Sequence, residues 1–273
     1  MKAVKTKRPY TEKIPKAWAN GAKCDIIEPY SNDQEMPQDE YFYFGLLRGS
    51  GDMLKRSVAN DWDYYYCDHA YFLAGHEHPD PWFRVTKNNL VASHMSKKLS
   101  GDRYEKYFKQ DLLPWRKDSL FSKIIVCPPT GAVEWFYDTH NWLTTTVQAL
   151  KQQTTREIVV REKPMDPQVA TKNGITHLIG FNKRDDAVPL AEDLKDAYCV
   201  VAFNSNVAIK AICMGIPVIC GPECAAYPVS NKIEDIENID YFDREPWLHH
   251  LAYRQFRLSE INNGYAYDII SST

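Results

Sequence analysis

No apolar run in this chain reaches the roughly 18 residues that a helix needs to cross a bilayer, so a helical membrane protein is not expected. The basic opening MKAVKTKRPYTEK lacks the apolar stretch of a secretory signal, and the expectation is a cytoplasmic protein. Seven cysteines include no CxxC pair, which removes the common zinc and dithiol motifs; most stand in apolar stretches and read as reduced core residues. There is no GxGxxG fingerprint, no Walker loop and no repeat of fixed period. A formal net charge of −3 gives no general excess of positive charge for non-specific nucleic-acid binding.

The bulk composition is that of a globular protein. With 44% hydrophobic and 25% charged residues, 273 residues suit one large or two modest domains with ample core. The 17 Tyr and 7 Trp serve equally to stack on ring-shaped ligands or to fill a core. Charge is uneven. Residues 1–23 set Lys2, Lys5, Lys7, Arg8, Lys13, Lys16 and Lys23 against Glu12 alone, and a second basic stretch spans 87–123. Each is a basic face or simply a solvated surface.

The chain is organised around DAYCVVAFNSNVAIKAICMGIPVICGP, residues 196–222. Tyr198 to Phe203 is a buried strand rich in β-branched and aromatic residues. Asn204, Ser205 and Asn206 are helix-capping types, and the apolar run from Val207 to Met214 is a short helix. Gly215 can take the left-handed conformation that ends it, Pro217 prevents continuation, and Val218 to Cys220 is the next strand. Such a βαβ unit implies a parallel, doubly wound sheet, with the helix start placed to hold a phosphate or to act as a plain crossover.

A second unit comes earlier. Tyr41 to Leu47 predicts a strand, Arg48-Gly49-Ser50-Gly51 a turn, Asp52 to about Asn60 a helix, and Asp63 to Cys67 a strand. The glycines let a backbone approach a ligand, or serve an ordinary turn. Asp68 and His69 follow at the carboxyl end of that strand, where such sheets bind ligands; a carboxylate there can take a proton from a hydroxyl nucleophile. Equally, the Asp can cap and the His can sit in the core. His76 and His78 form a His-x-His pair, which suits a metal, but no CxxC or HExxH frame supports one and none is expected.

Asp80 to Thr86 reads as the close of this region and 87–122 as a helical, polar connection. Ser122 to Cys127 begins a new sheet with Pro128 to Gly131, including Thr130, as its turn. Trp142 to Gln152 is a helix, Glu157 to Val160 a strand ending in Arg161-Glu162-Lys163-Pro164, and Pro189 to Asp196 a helix. Cations at that strand end suit a diphosphate or surface ion pairs. From Asp243, Trp247, Leu248, Leu251, Ala252, Gln255 and Phe256 fall at helical spacing.

Strand, REKP, helix, strand and SNVAIKAICMGIPVI resemble the donor half of GT-B glycosyltransferases. More closely, the RGSGD turn, YYYCDHAYF, FRVTKN, SGDRYEKYF and LAYRQFRLSEINNGYAY resemble phage-encoded proteins identified as glycosyltransferases, over roughly residues 40 to 270. The resemblance implies two Rossmann-like parallel-sheet domains facing across a cleft: an acceptor domain at 1–118, a nucleotide-sugar domain at 119–242, and a helix at 243–273 packing back toward the first. It implies Arg161, Lys163, Asn204, Ser205, Asn206 and Thr130 on the donor, Arg48, Gly49, Ser50 and Gly51 opposite, and Asp68, then His69, as the base. No cofactor is implied beyond the nucleotide-sugar co-substrate. Hydroxymethylated pyrimidines in DNA are the acceptor associated with some such relatives, and the host cytoplasm is the corresponding location. Lys163 stands where the superfamily often has His, and Lys210 where a Glu often holds the donor ribose. A nucleotide-sugar 2-epimerase and a non-catalytic nucleic-acid-binding module remain alternatives.

Overall fold

The computed structural model describes residues 1–7, 9–73, 78–95, 98–109, 112–117, 122–162 and 189–272. In chain order the elements are β1 (Lys2–Val4), α1 (Lys13–Ala22), β2 (Asp25–Ile27), β3 (Tyr41–Phe44), α2 (Gly51–Ala59), β4 (Tyr64–His69) and β5 (Trp82–Lys87). They continue with α3 (Asp102–Tyr107), β6 (Lys123–Cys127), α4 (Gly131–Tyr137), α5 (Trp142–Gln153), β7 (Glu157–Val160), α6 (Leu190–Asp193) and β8 (Ala197–Ala202). Then come α7 (Val207–Cys213), β9 (Val218–Cys220), α8 (Glu245–Ala252), β10 (Gln255–Arg257), α9 (Leu258–Asn262) and α10 (Tyr265–Ser271). Two compact units form, one from 1–109 with 245–273, the other from 110–244.

The first unit carries a six-stranded sheet in the order β10-β5-β4-β3-β1-β2. β2, β1, β3 and β4 are parallel, whereas β5 runs antiparallel to β4 and β10 antiparallel to β5. The expectation of a wholly parallel first sheet is therefore corrected. Trp82 to Lys87 is a strand rather than a closing turn, its Phe83 and Val85 packed into the core while Arg84 and Thr86 alternate with them. The C-terminal region is likewise not one helix: Gln255 and Phe256 leave the helical spacing to pair with Arg84 and Phe83. Residues 87–122 hold only α3 as α-helix among those described.

Why α1 forms is local. Ile14, Ala17 and Trp18 fall on one buried face, and Pro15 sits in the first turn, where its missing N–H is harmless. Trp18 is fully buried and stacks on Phe42 of β3 at 4.4 Å. Gly21 lets α1 meet α9 closely, since a Cβ there would lie 2.1 Å from the Ile261 carbonyl. Arg103 of α3 ties the C-terminal segment down, making 2.8 and 2.6 Å bonds to Glu260 and donating to the Ala252 and Gln255 carbonyls.

The second unit's sheet is parallel throughout, in the order β7-β6-β8-β9. Ile124, Val126, Cys199, Val201 and Ile219 bury one face together with Leu150 of α5 and Ile236. Val200 pairs with Val218 in parallel, as the central unit predicts. Gly215 ends α7 at φ 75°, and a Cβ there would fall 2.0 Å from the Pro114 carbonyl. All seven cysteines are free thiols, and five are buried, Cys24 and Cys220 being half-buried. Among the described residues no helix is long and apolar enough to cross a membrane.

Candidate functional site

In the first unit, β1, β3 and β4 are parallel neighbours or next neighbours, so the segments leaving them share one edge of the sheet. That edge carries Lys5 to Lys7, the turn Gly45 to Ser50, and the end of β4 at Asp68 and His69. Lys7 donates its N–H to the Arg48 carbonyl at 2.8 Å and lays its side chain over Gly49. Gly49 has φ 100°, and a Cβ would meet Lys7 Cγ at 2.4 Å, so this turn needs glycine. Ser50 is fully buried and its hydroxyl has no hydrogen-bond partner among the described residues; Gly51 begins α2.

Asp68 is built into the sheet. The register sets it beside Arg84 of β5, and the guanidinium Nη2 lies 3.2 Å from Oδ2. Tyr66 donates its hydroxyl to the same oxygen at 2.9 Å, and the His69 N–H donates to Oδ1 at 2.8 Å. Burial pushes the Asp68 carboxyl up, but Arg84 first, then His69, the amide and Tyr66 outweigh it and hold the group below the usual carboxylate range. It is therefore an anion at neutral pH, with a quarter of its side chain exposed. Arg84 also lies over the Tyr71 ring at 5.4 Å and donates to the His69 carbonyl. Tyr66 and Arg84 were missed as site residues. The signal for Arg84 was the alternation of apolar and polar residues through Phe83, Arg84, Val85 and Thr86.

In the second unit, β6, β7 and β8 bring Thr130, Arg161 and Asn204 to Asn206 to the carboxyl edge of one parallel sheet. Ser205 accepts the Val207 N–H on Oγ at 3.2 Å and the Ala208 N–H on its carbonyl at 3.1 Å. That turn starts α7 and leaves the hydroxyl proton of Ser205 able to donate. Thr130 precedes α4 with no side-chain capping bond, and it is half-buried, as is Asn204; Asn206 and Lys210 are exposed. Arg161 is paired with Asp193 of α6, so its charge is shared rather than free, a partner the sequence did not reveal. Lys163 and His76 lie outside the described residues. His78 is exposed, and among the described residues no group of three or more His, Cys, Asp or Glu is placed to hold a metal.

Beside that edge lies a cavity of about 420 Å³, lined by Trp142 and Thr146 of α5, Val201 and Ala202 of β8, Gly221 and Tyr227 among others. Its volume falls in the range of small-molecule sites, and it combines two aromatic walls with polar groups at Asn231 and Lys232. Asn231 is held by Asp240 through both its amide oxygen and nitrogen, so this wall is fixed.

No protein-family model matches the chain, and no curated protein matches it either. Among solved structures it is similar to the Thermosulfurimonas dismutans KpsC β-Kdo 2,4 transferase, at 12% identity and a TM-score of 0.50, over 93% of this chain and 91% of that one. The KpsC β-Kdo 2,7 transferase of the same organism matches at 12% identity and a TM-score of 0.47, over 99% of both chains. The first of these likenesses shows the fold alone: the chain shares a mixed α/β architecture with that transferase.

Proposed function

We propose that the chain is a glycosyltransferase of the GT-B type, moving a sugar from a nucleotide-sugar donor to an acceptor hydroxyl. The observation that carries this reading is the parallel sheet of 110–244, whose carboxyl edge gathers Thr130, Arg161 and Asn204 to Asn206 beside an aromatic-walled cavity of about 420 Å³. In open α/β sheets, ligands bind outside the carboxyl ends of the strands. The nucleoside would occupy the cavity, and the donor phosphates would meet Ser205 and Arg161.

In the reaction, Asp68 accepts the proton of the acceptor hydroxyl as its oxygen bonds to the anomeric carbon. The bond from that carbon to the leaving phosphate breaks, and the nucleotide departs with the electron pair. Its growing charge is met by fixed donors and cations, which is the usual source of rate in such sites, so the reading includes a metal-independent reaction. A carboxylate paired with Arg84 is a weaker base than a free one, which makes Asp68 suited to accept a proton late, when the hydroxyl is already acidified by bond formation. His69, next to it, is the second candidate.

The test is incubation of the protein with a panel of nucleotide sugars, in chelator, with saccharide acceptors and with DNA carrying hydroxymethylated or unmodified pyrimidines. Release of nucleotide with a matching mass gain on one acceptor is the expected result, and a gain on the modified DNA alone would assign that acceptor. Donor epimerisation, or nucleic-acid binding without turnover, would replace the reading by the corresponding alternative. Failure of every nucleotide sugar to bind would overturn it.

A further inference from the structure

Among the described residues the first unit contains three buried arginines, and two have carboxylate partners: Arg84 with Asp68 and Arg103 with Glu260. The third, Arg254, is 9% exposed and has none among the described residues. Its guanidinium makes one long bond, 3.4 Å, to the neighbouring Tyr253 carbonyl. A guanidinium removed from water without a counter-charge is costly, and natural proteins rarely leave one so.

Arg254 lines a cavity of about 380 Å³ together with residues of the segment following β5. Thr86, Asn88, Asn89 and His94 contribute polar wall, Ile270 and Val91 apolar wall, and among the described residues no Asp or Glu lines it. Lys87 also lines it, although its ammonium is shared with Asp63 at 3.0 Å and Glu40 at 3.7 Å. The neighbouring His250 is buried, and its Nε2 has no hydrogen-bond partner among the described residues. Burial first, then the charge of Arg254, holds His250 neutral by lowering it to about 4. Every charge facing this space from the described lining is therefore positive.

We propose that this cavity is a binding site for a small oxyanion, the carboxylate or phosphate of a sugar-sized molecule, gripped by the Arg254 guanidinium. The planar fork of Arg matches either group, and the volume fits one sugar ring with its acid group. The strand register pairs Lys87 with Tyr65 and Phe83 with His69, so the cavity lies toward the start of β4, away from Asp68. It is a second site, independent of the transfer reading.

The probes are inorganic phosphate, glucose 6-phosphate and glucuronate, with glucose and potassium chloride as controls. The arginine Nε–Hε resonance of Arg254 in the whole chain, assigned through its proximity to Ile270, is followed in each titration. A saturable shift with at least one of the three anions, absent with both controls, is expected. A response to glucuronate alone assigns a carboxylate ligand, and a response to the phosphates alone assigns a phosphate. Arg254→Lys should weaken the dissociation constant at least about tenfold, the scale of a lost charge-assisted hydrogen bond. His94→Ala, at an exposed position, should weaken it by about two- to tenfold and keeps the test open if Arg254→Lys does not fold. No shift with any anion, an equal shift with the controls, or unchanged affinity in both variants would overturn the proposal.

Discussion

The two sheets handle charge in opposite ways. The sheet of 110–244 is parallel and aliphatic, with Ile124, Ile125, Val126, Val200 and Val201 nearly or fully buried, and its polar candidates come only after the strands end. The sheet of the first unit puts an acid and a base inside it, Asp68 on β4 beside Arg84 on β5. The difference follows from strand direction. Parallel strands are joined by crossovers that cover both faces, so side chains within them meet apolar neighbours and chemistry moves to the carboxyl edge. In the first unit β5 returns antiparallel and brings a cation level with the carboxylate. There, the same pair shapes the fold and the chemistry; in the second unit the two are separated along the chain.

Variants should break that contrast. The largest effect is expected from Asp68→Asn, which removes the proton acceptor and should lower turnover by about 10²–10⁴-fold while donor affinity, assigned to the other unit, stays put. A folded variant with normal turnover, measured by nucleotide release, would remove Asp68 from the reaction. Arg84→Met comes next. It leaves the Asp68 carboxylate without its main counter-charge and should destabilise by about 3 kcal/mol, the low end for a buried pair because part of Asp68 reaches water. Hydrogen exchange should then speed up in 1–109 and not in 123–220, and adding Asp68→Asn should recover much of the loss. Equal acceleration in both regions would mean that the two regions open in one cooperative step and that the effect is not confined to the first unit.

Acid should also act on the first unit before the second. His250 is held down to about 4, so the folded state binds fewer protons than the unfolded state between pH 6.5 and 4. Stability is complete above that window and falls as pH drops through it, by about 2 kcal/mol at pH 5. Asp68, also lowered, adds its loss only below the unfolded carboxyl value near pH ~4. Denaturant titrations of His250→Phe should show the upper part of the slope gone, and a slope that persists unchanged would place its origin elsewhere. The smallest expected effect is Ser205→Ala, which removes one donor to the phosphates and should weaken nucleotide-sugar affinity about tenfold with no change in stability slope. Calorimetry showing unaltered affinity would move the donor away from that edge.

The resemblance motifs divide along the same line. SGDRYEKYF and LAYRQFRLSEINNGYAY meet in space through Arg103 and Glu260, so much of what makes that pattern distinctive is packing within the first unit. SNVAIKAICMGIPVI, by contrast, is a crossover with a polar turn at the edge where ligands bind.

By itself the sequence determined the elements whose signals are local. β8, α7 and β9 could be read because a buried run, capping residues, a glycine stop and a proline follow one another within a few residues. The turn at Arg48 to Gly51 was legible for the same reason, but that Gly49 must be glycine, at φ 100° against Lys7, was not. Tertiary structure alone decided the rest. The three-residue strands β1, β2 and β10 are too short to show a period, and β10 exists only because Phe256 finds Phe83 from the far end of the chain. Arg84 became the partner of Asp68 by antiparallel register, Arg161 was claimed by Asp193, and Arg254 was buried without an acid. Each of these depends on which strangers in sequence the fold brings within a few ångströms, and Coulomb interactions at that range set the charge state of the site.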